Sequence, residues 1–256
     1  MYETIVISGG GSKGFGMLGI VEYLKRFYMI DDIRNYIGCS AGAVLCLMLA
    51  CKETPLSIFL RCFQFLPSKL EEIKSITVEM IRDFLVSKYN NSDITFQELY
   101  DIERTNIVIL SFDIDNRTDI YYSYKNTPTY KVIDSIEETI SIPIILGTTN
   151  SFVDGCFVSP FPLKYCKDNN YVNIIGVYTL GRYTNILSVR NPIDEIRILF
   201  DTLMNKLTLF ELSVVSGNDL IIEFKSASDV STFECDKMKI IDLFFEGFTL
   251  AENYLK

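Results

Sequence analysis

The sequence predicts an α/β fold, with a mainly parallel central sheet and helices on both faces. Strand-like and helical segments alternate from one end of the chain to the other, the arrangement that builds a parallel sheet through crossover helices. The first strand-like run is β-branched and stops at a glycine cluster, and the helix over residues 41–51 is apolar nearly all round, hence buried beneath its neighbours.

In order, residues 4–8 read as a buried strand and 14–27 as a helix in which Phe15, Leu18, Val21, Tyr23 and Leu24 recur at helical spacing. Residues 35–39 are a second strand, running into the buried helix at 41–51. Helical periods follow at 55–66 and 70–89; the first, within PLSIFLRCFQFLP, is apolar enough to be either core or the rim of a cleft. Residues 106–114 are the next strand, with 119–124 as its hairpin partner across a polar turn. A helix over 130–142 ends at Pro143. NSFVDGCFVSPFP supplies a short strand, an Asp-Gly turn and a proline-punctuated loop. A strand in YVNIIGVYT, a long helix over 192–212, a strand at 219–224 and an amphipathic helix over 235–254 complete the reading. No repeat or linker interrupts it, so residues 1–256 read as a single domain.

Hydrophobic residues make up 48% of the chain and charged residues 22%, ordinary globular usage with ample material for a core. The net charge of −9 argues against a nucleic-acid partner and against lasting electrostatic attachment to anionic lipid, both of which need clustered Lys and Arg. Any action on lipid would therefore dock through apolar contact. The seven cysteines, at 39, 46, 51, 62, 156, 166 and 235, include no C-x-x-C pair and mostly sit in apolar runs, as buried free thiols of a reducing compartment do. With no histidine and no clustered thiols, a metal site is not expected. MYETIVISGG lacks the pattern of a signal peptide, and the longest apolar stretch, 41–51, is too short to span a bilayer. These features predict a soluble cytoplasmic protein with at most peripheral membrane contact. Rich Ile, Asn and Tyr usage without Trp fits an AT-rich genome, such as that of a large virus.

Chemistry-bearing residues fall in three stretches. ISGGGSKGFG satisfies G-x-G-x-x-G through Gly9, Gly11 and Gly14 between a strand and a helix, a dinucleotide-binding context. The acidic residue that would hold a ribose hydroxyl is missing, because the second strand ends in Gly38-Cys39-Ser40. Unpaired N–H groups and a helix dipole in such a loop equally stabilise a developing oxyanion.

Gly38-Cys39-Ser40-Ala41-Gly42 satisfies G-x-S-x-G between a strand and a helix, where flanking glycines permit the sharp turn that presents a nucleophilic serine. The same pattern fits an ordinary N-cap serine. Without histidine, a Ser-His-Asp triad is excluded, and a carboxylate, lysine, tyrosine or water is left to take the serine's proton. A carboxylate with the usual pKa of about 3.9 suits that task only if its surroundings raise the value or acidify the serine. In FVDGCF, Asp154 closes a short strand at the sheet edge where site residues of open α/β folds gather, and equally fits a turn. DIDNRTD resembles a calcium loop but has Thr118 and Tyr124 where an EF-hand needs glycine and glutamate, so it reads as a hairpin turn. Cys39 is directed away from the cleft by its place in the elbow.

Gly9-Gly10-Gly11-Ser12-Lys13-Gly14, Gly38-Cys39-Ser40-Ala41-Gly42 and Asp154-Gly155, in this order and in a chain without histidine, resemble the patatin-like phospholipase family. TFQELYDIERTNIVILSFDI and SIEETISIPIIL resemble its connecting segments and IIDLFFEGFTLAENYL its closing helix, so the likeness covers nearly the whole chain. The resemblance implies a three-layer fold, no cofactor or metal, and a lipid acyl hydrolase of phospholipase A or related carboxylic-ester type. It implies a Ser40–Asp154 dyad working through an acyl-enzyme, with an oxyanion hole formed by backbone N–H groups of Gly9, Gly10 and Gly11. Lys13 would orient the glycine loop or favour an anionic head group, and residues 55–89 would wall the acyl chains. Cys156 stands where the family has a small residue, and Ser159-Pro160 and Phe161-Pro162 stand in for its Asn-Pro. The partner implied is a lipid substrate at a transient membrane or micelle surface, with the oligomeric state left open. Two other readings stay open: a patatin-like lipid-binding or interaction protein without turnover, and a Rossmann dinucleotide protein.

Overall fold

Among the described residues seven strands carry the structure: β1 (Thr4–Ile7), β2 (Asn35–Cys39), β3 (Asn106–Asp113), β4 (Thr118–Tyr122), β5 (Phe152–Asp154), β6 (Ile174–Thr179) and β7 (Leu220–Phe224). They are seen in a computed structural model that describes residues 1–143, 145–181, 192–226 and 236–256. The sheet order is β4-β3-β2-β1-β6-β7, with β5 attached to β3. Pairs β1–β2, β1–β6, β2–β3 and β6–β7 are parallel, whereas β3–β4 and β3–β5 are antiparallel. The sheet is thus mainly parallel, as the sequence predicts, with its antiparallel strands gathered around β3.

Successive residues of a strand face opposite sides of its sheet, and β1 is apolar on both. Ile5 and Ile7 join a large cluster on one face, while Val6 packs with Ile37, Val108 and Phe161 on the other. The large cluster is built with α1 (Gly14–Arg26), α2 (Ala41–Ala50), α3 (Pro55–Gln64), α4 (Ile73–Tyr89), α5 (Phe96–Glu103) and α6 (Val132–Thr139). The second face is covered by α7 (Leu163–Asp168) and the chain around Phe161. The helix α8 (Pro192–Glu211) follows β6, and α9 (Lys237–Leu255) follows β7 and packs along α1. Every residue of α2 from Gly42 to Ala50 is buried, which is why its sequence lacks a polar face.

Several boundaries differ from the sequence reading for identifiable reasons. The helix expected over 130–142 is the shorter α6, ending before Pro143. The segment at 70–89 begins as a 3-10 turn before α4. The closing helix starts at Lys237, where the Asp236 carboxylate accepts from the N–H groups of Met238 and Lys239 at 2.9 and 3.0 Å. Cys235 lies outside the described residues, and the other six cysteines are free thiols. The helix α5 was not expected, although Thr95 and Glu98 form a capping box before it: Thr95 Oγ1 accepts from Glu98 N at 3.3 Å and Glu98 Oε2 from Thr95 N at 2.8 Å. The helix α7 follows the proline-punctuated loop, in residues for which the sequence reading gives no element.

One close approach sets the spacing of the helical layer. A Cβ on Gly247 of α9 would sit 1.8 Å from the Gly16 carbonyl of α1, and one on Gly19 would sit 2.0 Å from the Phe244 carbonyl. Backbone meets backbone there, so neither helix can yield locally. Gly247→Ala is expected to lower unfolding stability by about 1–3 kcal/mol, the cost of overpacking a tight contact. On an isolated helix the same change would stabilise by up to about 1 kcal/mol. Urea denaturation distinguishes the two, and a gain would show that α1 and α9 do not touch as described.

Candidate active site

The glycine motif at the end of β2 folds into a sharp elbow. Ser40 adopts φ 53° and ψ −133°, a conformation that costs a non-glycine residue about 1–3 kcal/mol and persists only when its surroundings enforce it. The surroundings do so by contact. A Cβ on Gly42 would lie 2.2 Å from the Ile7 carbonyl, so the first turn of α2 can press against β1 only with glycine there. Ser40 precedes α2 but its hydroxyl makes no capping bond to the helix, which removes the ordinary N-cap reading.

Asp154 reaches the elbow through β3. One edge of β3 pairs with β4. On its other edge Leu110 is opposite Cys39, the last residue of β2, and the next residue, Ser111, is opposite Asp154 of β5. The edge passes from one partner to the other within a single residue, which brings Ser40 and Asp154 side by side although they are 114 positions apart. The Asp154 N–H donates to the Ser141 carbonyl at 2.7 Å, and its Oδ1 accepts from Cys156 N at 2.8 Å, so the Asp-Gly turn is present as well.

The carboxyl group of Asp154 is fully buried, and its Oδ2 has no hydrogen-bond partner of ordinary geometry among the described residues. Burial pushes its pKa up from 3.8 to about 6, and the nearby Ser40 hydroxyl, with the Cys156 N–H, offsets part of the rise. Cys156 Sγ lies 3.3 Å from Cys39 Sγ, and burial pushes the Cys156 thiol well above its usual range. Cys39 itself is fully buried and donates to the Pro160 carbonyl at 3.2 Å, away from the cavity that Ser40 faces.

The glycine loop lies alongside. Gly9 departs from the sequence expectation of three amide donors, because its N–H already donates to the Pro160 carbonyl at 2.9 Å. What Gly9 supplies is room: a Cβ there would sit 2.1 Å from Cys156 Sγ and 3.2 Å from Ser40 Cβ. The N–H groups of Gly10 and Gly11 have no partner among the described residues. The start of α1 abuts that of α2, since a Cβ on Gly14 would lie 3.4 Å from Ala41 Cβ; the positive ends of two helix dipoles therefore converge beside Ser40. Lys13 is only 9% exposed and is no solvated surface lysine; its Nζ donates to the Leu180 carbonyl at 3.3 Å.

Ser40, Asp154, Gly9, Gly10, Gly11 and Lys13 all line one cavity, about 1310 Å³ including the part open to solvent. Its walls are mainly apolar. Cys62, Phe65, Leu66 and Met80 come from the segment over 55–89, whereas Ile58 and Phe59 of the same segment lie in the core, so both readings of that greasy stretch hold in part. Phe200, Asp201 and Met204 of α8 close another side and carry no sequence signal beyond helical periodicity. Thr139 was also missed: its hydroxyl accepts from the Ser40 N–H at 2.9 Å and donates to the Leu110 carbonyl. Nothing in the sequence ties it to an elbow 99 residues away. Among the described residues no group of His, Cys, Asp or Glu could hold a metal ion. The arrangement can transfer a proton between a hydroxyl and a carboxylate, and can stabilise negative charge at a neighbouring carbonyl oxygen.

The patatin-like phospholipase family model matches residues 5–167. A probable lipid hydrolase of Invertebrate iridescent virus 6 is 28% identical over 206 residues, covering 70% of each chain. In fold, the chain resembles VipD from Legionella pneumophila, with a TM-score of 0.59 and 13% identity. It also resembles the type III effector ExoU of Pseudomonas aeruginosa, with a TM-score of 0.51 and 14% identity. Either likeness spans 99% of this chain but only 66% of VipD and 53% of ExoU.

The buried carboxylate makes stability depend on pH in a stated direction. Its pKa is about 6 in the native state and 3.8 when exposed, so the native protein holds the extra proton and loses stability as pH rises through that interval. The full difference is about 3 kcal/mol. Asp154→Asn keeps the Oδ1 acceptor and is neutral at every pH. It is expected to be more stable than wild type at pH 8 by up to that amount, with the gap closing near pH 4. Urea titrations at both pH values check this, and an Asn variant no more stable at pH 8 would refute the buried charge.

Proposed function

The chain belongs to the patatin-like phospholipase family, and from that premise we propose that it is a lipid acyl hydrolase in which Ser40 and Asp154 cleave carboxylic esters through an acyl-enzyme. The observation that carries the reading is the unpartnered, buried Oδ2 of Asp154 within range of a serine held at positive φ, in a chain that has no histidine.

Ser40 Oγ attacks the ester carbonyl carbon as Asp154 takes its proton. The resulting oxyanion is held by the N–H groups of Gly10 and Gly11 and by the converging helix ends, donors each worth about 3 kcal/mol at such sites. Collapse expels the alcohol, which takes the proton from Asp154 and leaves the acyl group on Ser40. Water then attacks the acyl-enzyme, again giving a proton to Asp154; the second collapse returns that proton to Ser40 and frees the fatty acid. A pKa near 6 makes Asp154 a stronger base than an ordinary carboxylate while leaving it ionised at neutral pH. Of the two roles expected for Lys13, its bond to the Leu180 carbonyl favours orientation of the glycine loop.

The cavity's apolar walls suit acyl chains. The helices that flank it, α3 and α8, also expose Leu56, Leu60, Leu199 and Leu203, which supports transient docking on a lipid surface by apolar contact. Among the described residues no helix is long and apolar enough to cross a membrane. Residues from Gly9 to Met204 meet in this one cavity, which favours reading the chain as one domain.

A fluorophosphonate probe is expected to label wild type at Ser40 and to leave Ser40→Ala unlabelled. Hydrolysis of phospholipid in mixed micelles is expected to fall by about 10³-fold or more in both Ser40→Ala and Asp154→Asn. The wild-type rate should rise with pH through about 6 and then level, because the base must be ionised. Robust hydrolysis surviving in Ser40→Ala would reject the mechanism. Lipid binding without labelling would favour a protein that holds lipid but does not turn it over.

A further inference from the structure

Thr139 is fully buried at the end of α6 and does not line the cavity, yet its hydroxyl touches the backbone of the serine that does. Its Oγ1 stands between the Leu110 carbonyl, within β3 where the edge passes from β2 to β5, and the Ser40 N–H. Two residues on, the Ser141 carbonyl accepts from the Asp154 N–H at 2.7 Å. The end of α6 therefore grips the nucleophile's peptide and the base's peptide together. That helix is itself anchored by Glu138, a buried carboxylate that accepts from Tyr122 at 2.5 Å and Tyr130 at 2.6 Å.

We infer that Thr139 is a positioning residue for the dyad, acting through the Ser40 amide and touching neither substrate nor the reacting atoms; this rests on the function proposed above. The Ser40 N–H lies at the start of α2 and has no acceptor within that helix. Left free, the peptide between Cys39 and Ser40 would turn to find another acceptor, and the direction of the Cα–Cβ bond would turn with it. Because Ser40 holds a conformation that few residues adopt, a small rotation there carries Oγ away from Oδ2 of Asp154. The hydroxyl serves both neighbours at once: it accepts from Ser40 and donates to Leu110, roles that a methyl or a carboxylate cannot combine. It also occupies the Ser40 amide, which leaves oxyanion stabilisation to the donors of the glycine loop.

Thr139→Ser and Thr139→Ala both lack the methyl and differ only in the hydroxyl, so their ratio isolates its effect. Fluorophosphonate labelling and hydrolysis of a soluble short-chain ester are measured on folded protein of each. Thr139→Ser should stay within about 3-fold of wild type, whereas Thr139→Ala should lose roughly 10- to 100-fold in kcat and labelling rate with KM changed less than about 3-fold. Equal rates in the two variants would overturn the assignment, as would a loss confined to KM. Amide hydrogen exchange at Ser40 gives a readout independent of activity: protection should persist with Thr or Ser at 139 and drop with Ala. If wild type neither labels nor hydrolyses, the proposed function falls. The exchange experiment then still decides whether Thr139 holds the elbow, and protection retained in Thr139→Ala would refute it.

Discussion

The arrangement of the site depends on how one edge of β3 is shared. β2 occupies that edge as far as Leu110 and β5 takes it from Ser111, so a parallel strand whose last residue, Cys39, leads into Ser40 and an antiparallel strand ending in Asp154 abut at one register position. Hydrogen bonds of a sheet fix register to a single residue, and register fixes the side on which every side chain emerges. No flexible loop has to find the correct pose for the two groups to meet. The remaining features serve this junction: Gly42 lets α2 press against β1, and α6 fastens both strand ends.

On the function proposed above, low dielectric surroundings convert that proximity into chemistry. A carboxylate beside a hydroxyl in water is a weak base, because water stabilises its charge. Asp154 is denied that solvation and has one oxygen without a hydrogen bond of ordinary geometry among the described residues, so its charge is poised to accept a proton. The same burial destabilises the native fold at neutral pH, a conflict between stability and activity that is common at functional sites. A strained serine and an unsatisfied carboxylate are tolerated because the sheet and α1, α2 and α9 form a large apolar core around them.

The parts legible from sequence were those encoded within a few residues. The β-branched run before Gly9, the glycines flanking Ser40 and the Asp-Gly after Val153 each announce a local geometry, and the alternation of segments announces the parallel sheet. The capping box of Thr95 and Glu98 is an equally local signal, for α5. What could not be read depends on distant parts of the chain. The Gly9 amide is occupied by Pro160, the Thr139 hydroxyl meets a residue 99 positions earlier, and Met204 faces a cavity whose other wall is Phe65. Such contacts follow from tertiary packing, and helical periodicity alone does not reveal which neighbour a side chain will meet.

The position of α8 separates two tasks along the chain. Every group assigned to bond breaking falls inside the stretch that matches the family, residues 5–167, whereas Phe200, Asp201 and Met204 lie beyond it. Asn205 clamps α8 to the end of β6 through both the N–H and the carbonyl of Gly181, at 2.6 and 2.8 Å. On the function proposed above, substitutions on the cavity-facing side of this helix would change which acyl group fits while leaving Ser40 and Asp154 in place.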